Sequence, residues 1–253
     1  KNVYLGKDRT ITVVGELDVV MNLPLYQGRL AADVIRELGA AATASPPEGV
    51  PMLVVGAPPA SVKSAFCVAL TWDAWCAKVS PLGDVELVCD SDNPLAGVAA
   101  AALGVSEAFL HIRGELHDAG HRSVSISLWE PLLVSTDIAI VARGPALRFL
   151  PQSLWLVGLG HLGQAYAWTV GMLPYAGNTR PHLVLQDVDV VGESNLSTCL
   201  LLGKEDLGKR KTRVVSRRLE AEGFTTSLVE RRFGPSHKLM HGEPTVALYG
   251  VDN

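Results

Sequence analysis

Gly158-Leu159-Gly160-His161-Leu162-Gly163 follows directly on the apolar run Leu154 to Val157 and leads into Leu162 to Leu173, where apolar residues recur at helical spacing. A G-x-G-x-x-G between a strand and a helix is the setting in which the pattern acquires a physical meaning. Gly158 permits the tight turn, Gly160 lets backbone approach a phosphate, and Gly163 allows the helix to pack close to the sheet. The helix N-terminus adds the positive end of its dipole. The chemistry expected of these residues is nucleotide binding, against the plainer reading of a tight structural turn. Asp187 stands at the end of the next strand, somewhat further on than the roughly 20 residues at which a ribose-binding acid is expected. A carboxylate there can accept hydrogen bonds from ribose hydroxyls; without the glycine motif it reads as a polar residue closing a strand.

Two nucleotide chemistries share this strand, glycine turn, helix, strand and acid: hydride transfer with a dinucleotide, and adenylation with ATP. The residues after Asp187 distinguish them. Asp187-Val188-Asp189-Val190-Val191-Gly192-Glu193-Ser194-Asn195-Leu196 is followed by Gly208-Lys209-Arg210-Lys211-Thr212, and the chain closes on Val251-Asp252-Asn253 after an apolar run. At i+3 and i+4, Lys211 shares a helix face with Val214 and Val215, which points it toward the protein, where a lysine requires an anion. The other cations nearby, Lys204, Lys209, Arg210, Arg213, Arg217 and Arg218, read as a solvated helix face.

These segments resemble the adenylating domain of the ThiF-type superfamily, the ubiquitin-activating-enzyme-like proteins, whose members carry a G-x-G-x-x-G, a D-x-D-x-V-x-x-S-N-L segment, a G-x-x-K helix start and an Asp after the fourth strand. The four occur here in that order over roughly residues 148–253. The resemblance implies ATP- and Mg²⁺-dependent adenylation of the C-terminal carboxylate of a ubiquitin-like or sulfur-carrier protein in a bacterial-type modification system. On it, Gly158, Gly160 and Gly163 line the phosphates, Asp187 holds the ribose, Asn195 and Lys211 contact the phosphates, and Asp252 positions Mg²⁺ and the reacting phosphate. The implied partners are the carrier protein, a conjugating enzyme, and a second copy or pseudo-dimer half. The segments Trp72-Asp73-Ala74-Trp75-Cys76-Ala77 and Asn93-Pro94-Leu95-Ala96-Gly97 are similar to those preceding the adenylating domain in bacterial members, although Trp72 and Trp75 read first as packing residues.

One departure stands out. The family places an arginine three residues after the Asn, and here that residue is Thr198. Either Arg210, Arg213 or a partner's arginine supplies the cation, or catalysis is weakened. An NAD-dependent oxidoreductase and a nucleotide-binding scaffold without catalysis are the competing readings; Lys211 and the S-N-L segment argue against the first, and Thr198 keeps the second open. Cys199, beside the motif, reads as a small buried residue.

The chain that must position these groups has 253 residues, 48% hydrophobic and 19% charged, with mean hydropathy +0.23, which excludes disorder as its main state. A formal net charge of −4 gives no overall positive field for nucleic acid. The longest unbroken stretch of apolar residues and glycine, Leu95 to Val105, is about half of a bilayer span, and no membrane association is expected. Cys67, Cys76, Cys89 and Cys199 form no C-x-x-C, which fits reduced thiols in a cytoplasmic setting. The seven histidines show no zinc-ligand spacing. The chain is expected to be a segment of a longer protein.

The expected fold is α/β. Residues 146–253 form a Rossmann-like adenylating domain with a mostly parallel sheet, and residues 1–145 a second α/β region, an inactive partner half. In the first region a strand at Thr10 to Val14, a helix at Leu30 to Leu38, a strand at Met52 to Val55 and a helix from Pro94, capped by Asn93 and ended by Gly114, are predicted. In the second, strands at Leu154 to Val157, Pro181 to Leu185, Thr226 to Glu230 and Thr245 to Tyr249 alternate with helices at Leu162 to Leu173 and Leu207 to Glu222.

Overall fold

A computed structural model describes residues 11–57, 64–83, 89–90, 93–132, 143–175, 180–234 and 241–251. In chain order the strands are β1 (Thr12–Val14), β2 (Ala41–Thr43), β3 (Met52–Val55), β4 (Cys67–Asp73), β5 (Cys76–Pro81), β6 (Cys89–Asp90), β7 (Val124–Ser127), β8 (Ser153–Val157), β9 (His182–Gln186), β10 (Thr225–Val229) and β11 (Ala247–Tyr249). The α-helices are α1 (Ala31–Glu37), α2 (Pro94–Arg113), α3 (His161–Met172) and α4 (Lys211–Ala221). They divide into two compact units, one of Glu16–Ala41 with the chain from Phe149 onward, the other of Thr12–Gly15 with Ala42–Arg148.

The unit that contains the glycine motif is built on a four-stranded sheet in the order β10-β9-β8-β11, and every pairing is parallel. Parallel strands covered on both faces need apolar residues at successive positions, not alternating ones. Leu154-Trp155-Leu156-Val157 and Leu183-Val184-Leu185 supply them, all buried. Val214, Val215 and Leu219 of α4 are buried as well, and Ser216 on the same helix meets Thr226 of β10 through their hydroxyls, 2.8 Å apart. Residues near the N-terminus complete this unit: Leu25 packs against Gly171 of α3, where a Cβ would lie 3.1 Å from its methyl carbon, and Trp168 donates its indole N–H to the Tyr26 hydroxyl at 3.0 Å.

Numbered along this sheet alone, the strand order is 3-2-1-4, so the direction of winding reverses between β8 and β11. Ligands of open α/β sheets lie at the carboxyl ends of the strands beside such a reversal. The glycine motif leaves β8 there.

The second unit does not repeat this plan. Its sheet runs β3-β4-β5-β7, with β6 beside β4; β4–β5 and β5–β7 are antiparallel, while β3–β4 is parallel. Phe66, Val68, Leu70, Ala77, Val79 and Ala100 form its core. As expected, α2 is capped by Asn93, whose Oδ1 accepts from the Leu95 N–H at 3.1 Å, and is ended by Gly114 in the left-handed region at φ 65°. By length and composition α2 is the one helix among the described residues apolar enough to cross a membrane. Its inward face nevertheless carries Glu107, buried and bonded to the Gly120 N–H at 3.0 Å and to Arg122 at 2.9 Å, and Gly104, where a Cβ would come within 2.5 Å of a Leu70 methyl. That is the surface of a helix fitted to a protein core.

Trp72 to Ala77 forms a β-hairpin, with Asp73 opposite Cys76 and Ala74 at φ 51° in its turn. Trp72 packs on the core. Trp75 donates its indole N–H to the Pro145 carbonyl at 2.6 Å and lies 5.8 Å from the Trp129 ring, while Arg143 reaches Asp73 at 2.6 Å.

Candidate functional site

Gly158 sits at φ 82°, a conformation that favours glycine, and its surroundings would exclude a side chain in any case. A Cβ would lie 2.5 Å from a Val251 methyl and 2.9 Å from the Gly250 carbonyl oxygen. Gly163 is tighter still, since a Cβ there would fall 1.8 Å from the Gly158 carbonyl oxygen. The turn and the first turn of α3 are thus in backbone contact. Gly160 differs from both. Nothing lies within 4 Å of its missing Cβ, and it is the N-cap of α3, with no side chain capping the helix. The first amides of a helix have no partner within it, so an uncapped N-terminus beside open space is suited to an anion.

Asp187 closes the turn from the neighbouring strand. One carboxylate oxygen accepts the Leu159 N–H at 2.6 Å, the other the Asp189 N–H at 2.7 Å. Each oxygen keeps a second lone pair, so the residue can hold the glycine turn in place and still accept from a ribose. Gln164, which the sequence analysis passed over, fixes the turn from behind. Fully buried, it donates to the Leu159 carbonyl at 3.0 Å and accepts the Leu201 N–H at 3.0 Å.

Lys211 is 6% exposed, on the inward face with Val214 and Val215 as its spacing predicts. Its Nζ meets Asp189 Oδ2 at 3.0 Å, and its backbone N–H donates to the Asp189 carbonyl at 3.1 Å. The second acid of the D-x-D segment is therefore the anion that the buried lysine requires. The Asp189 side chain is itself 62% exposed while that of Lys211 is 8% exposed, so the pair meets solvent on the side of the acid. Asn195 accepts the Gly192 N–H at 2.9 Å through Oδ1, which leaves its amide hydrogens as the part able to meet a phosphate. Asp252 lies outside the described residues, and with it the expected Mg²⁺ position. Among the described residues no cluster of three or more His, Cys, Asp or Glu could hold a metal ion.

The helix expected from Leu207 begins at Lys211. Gly208 takes φ 77°, Val190 pairs with Arg210, and Val191 exchanges hydrogen bonds with Gly208 and Lys209. Extended pairing at 208–210 replaces the first helical turn. The basic run is also not simply solvated. Arg213 forms a two-pronged pair with Glu230, at 2.9 and 3.1 Å, and Arg217 and Lys209 both reach Asp206, at 2.6 and 3.3 Å. Arg210 donates to the Val188 carbonyl, beside Asp187 and Asp189. Cys199 is buried, as expected. Burial pushes its thiol up, against the opposing pull of Lys211 and a hydrogen bond from Thr198, which disfavours the thiolate that a nucleophile needs.

Two family models match the chain, the BilD N-terminal domain over residues 3–128 and the BilD C-terminal domain over residues 150–253. The bacterial E1-like protein BilD of a Collimonas strain is 46% identical over 186 residues, which are 73% of this chain and 40% of that protein. The chain thus spans about 40% of the length of this curated relative. Among solved structures, MccB of E. coli with ATP aligns over 32% of this chain and 23% of its own at 23% identity and a TM-score of 0.28. TcdA (CsdL) aligns over 40% of each chain at 17% identity and a TM-score of 0.35. The fold assignment rests on the strand order itself.

Proposed function

We propose, from the match of its two halves to the BilD N- and C-terminal domain models and from its 46% identity to a bacterial E1-like protein, that the chain is the nucleotide-binding part of a ThiF-type enzyme that adenylates the C-terminal carboxylate of a ubiquitin-like or sulfur-carrier protein in a bacterial modification system. The observation that carries this reading is the convergence at the ends of β8 and β9: an open, uncapped helix N-terminus at Gly160, a carboxylate at Asp187, and a buried lysine at Lys211. In the reaction a carboxylate oxygen of the carrier attacks the α-phosphorus of ATP, a new O–P bond forms, and the bond to pyrophosphate breaks. No covalent chemistry is asked of the protein; it must place the reactants and stabilise charge spread over the phosphate oxygens. The α3 amides and Lys211 hold phosphate oxygens, Asn195 donates to them through its amide, and Asp187 fixes the ribose and the turn together. Asp252 would hold Mg²⁺, whose charge would neutralise that of the phosphates. The same reading places the enzyme in the cytoplasm, assembling as a dimer or pseudo-dimer and passing its product to a conjugating enzyme.

A scaffold that has lost catalysis is the second reading, and the commitment of Arg213 to Glu230 favours it. With that arginine occupied, the cation absent at Thr198 must come from Arg210 or from a partner.

Calorimetry of the full-length protein with ATP and Mg²⁺, and separately with NAD, tests the proposal. Lys211→Ala removes a charge-assisted contact and should weaken ATP binding about tenfold to a hundredfold; Asp187→Ala should do the same or more. Pyrophosphate exchange dependent on a carrier protein separates the enzyme from the scaffold. Tight NAD binding that is indifferent to Lys211 would overturn the adenylating reading.

A further inference from the structure

We propose that Asp206, which lies outside the D-x-D segment, is the positioning residue that sets where Lys211 stands. The inference rests on the reading of Lys211 as a phosphate-binding group. Asp206 is 0% exposed, and three donors from two elements converge on its carboxylate. Oδ2 accepts the Gly203 N–H at 3.0 Å, which closes the short helical turn Lys204–Asp206. Oδ1 receives Lys209 Nζ at 3.3 Å and Arg217 Nη2 at 2.6 Å. Burial alone would push this carboxyl up; the Gly203 N–H, Arg217 and Lys209 together hold it below its ordinary value, so it is an anion in the fold.

The geometry makes this carboxylate a pin between a loop and a helix. Gly203 and Lys209 lie in the segment that leads into α4, and Arg217 is six residues beyond Lys211 on α4 itself. Between them, residues 208–210 are paired to Val190 and Val191, and the Lys211 N–H is tied to the Asp189 carbonyl. With Asp206 charged, α4 cannot slide or rotate relative to the Asp187–Val191 segment without breaking an ion pair whose acid is buried, which is costly. Arg217 and Lys209 share this buried acid, whereas the carboxylate beside Lys211 is solvent-exposed. Asp206 therefore fixes the lysine's position without pairing with it, and the partner of Lys211 remains Asp189.

Asp206→Asn in the full-length protein keeps the volume and an acceptor for Gly203 but loses the charge. Titration with ATP and with adenosine, which lacks every phosphate, reads the consequence. The expected result is ATP affinity reduced about tenfold, the loss of one charge-assisted interaction, with adenosine affinity within about twofold of wild type, the scatter of a site left undisturbed. The double variant Asp206→Asn/Lys211→Ala should bind ATP no more weakly than Lys211→Ala alone, because both changes remove one and the same contact. Equal losses for ATP and adenosine, or fully additive losses in the double variant, would overturn the proposal. If Asp206→Asn does not fold, Arg217→Met, which breaks the pin from the exposed side, must show the same ATP-selective loss. Should Lys211→Ala itself leave ATP binding intact, the reading of the site fails; should Lys211→Ala weaken binding while Asp206→Asn does not, only the role of Asp206 fails.

Discussion

At Gly163 the nearest obstacle to a side chain is backbone, the Gly158 carbonyl, which cannot rotate away as a flexible side chain would. Gly163→Ala must therefore force α3 off the turn, and overpacking of this kind costs roughly 1–3 kcal/mol, measurable by urea denaturation. Gly160→Ala is the informative contrast. Its methyl would enter open space at φ −72°, so stability should change by no more than about 1 kcal/mol, the difference between these residues as helix N-caps. ATP affinity should nevertheless fall, because the methyl stands where a phosphate would approach. If both variants lose stability equally, the two glycines have one structural role and Gly160 no special one. The glycine motif was legible in the sequence because its meaning is local, a spacing between a strand and a helix. So was the inward lysine, from a two-residue periodicity argument. Asp206 was not. In Lys204-Glu205-Asp206-Leu207-Gly208-Lys209 nothing local distinguishes the acid that is buried from the one beside it, and its partner Arg217 is eleven residues away.

Among the elements, α2 announced itself through Asn93, Pro94 and Gly114, whose cap chemistry is independent of the rest of the fold. Strand β5 gave no such sign. Cys76-Ala77-Lys78-Val79 does alternate, but two-residue hairpin turns ordinarily advertise themselves with Gly or Asn, and this one places Ala74 at φ 51°. A left-handed alanine costs about 1 kcal/mol relative to glycine. Ala74→Gly should stabilise the protein by about that amount and raise Tm by about 2–4 °C in a thermal melt; an unchanged or lower Tm would mean that the turn's rigidity outweighs its strain. The late start of α4 has a similar origin. The periodic pattern extends back to Leu207, but the partners that draw residues 208–210 into extended pairing lie some eighteen residues earlier, where a periodicity reading cannot see them.

For the whole molecule, alternation of strands and helices was enough to predict a parallel sheet, while strand order, and the packing of Glu16–Ala41 with the later unit, depend on long-range contacts that no local pattern encodes. The charges of α4 carry a consequence for acid stability. Arg213 foremost, with Thr212, holds Glu230 below its ordinary value, and Asp206 is likewise depressed. A carboxyl lowered on folding contributes stability that is present above its unfolded pKa and lost as pH falls through its folded one. Glu222, raised chiefly by burial, acts in the opposite sense and favours the fold as it protonates. With two depressed groups against one raised group, urea midpoints should fall from about pH 4 downward, where unperturbed carboxylates begin to protonate. Asp206→Asn should flatten that dependence; an equally steep profile in the variant would show that Asp206 is not part of it.

The parallel sheet also divides the first unit into a working rim and a spare one. All four strands end on the rim that holds residues 158–160, 187–198 and 250–251, and they begin on the other, where Gly223 makes the turn from α4 into β10 at φ 85° with only an Arg180 side-chain carbon, 3.7 Å away, near its missing Cβ. A short insertion at that turn, such as a peptide tag or a fluorophore-bearing loop, would lie a full strand length from the glycine motif. The turn at Gly223 is thus an attachment point at which a label would leave the groups proposed to bind the nucleotide untouched.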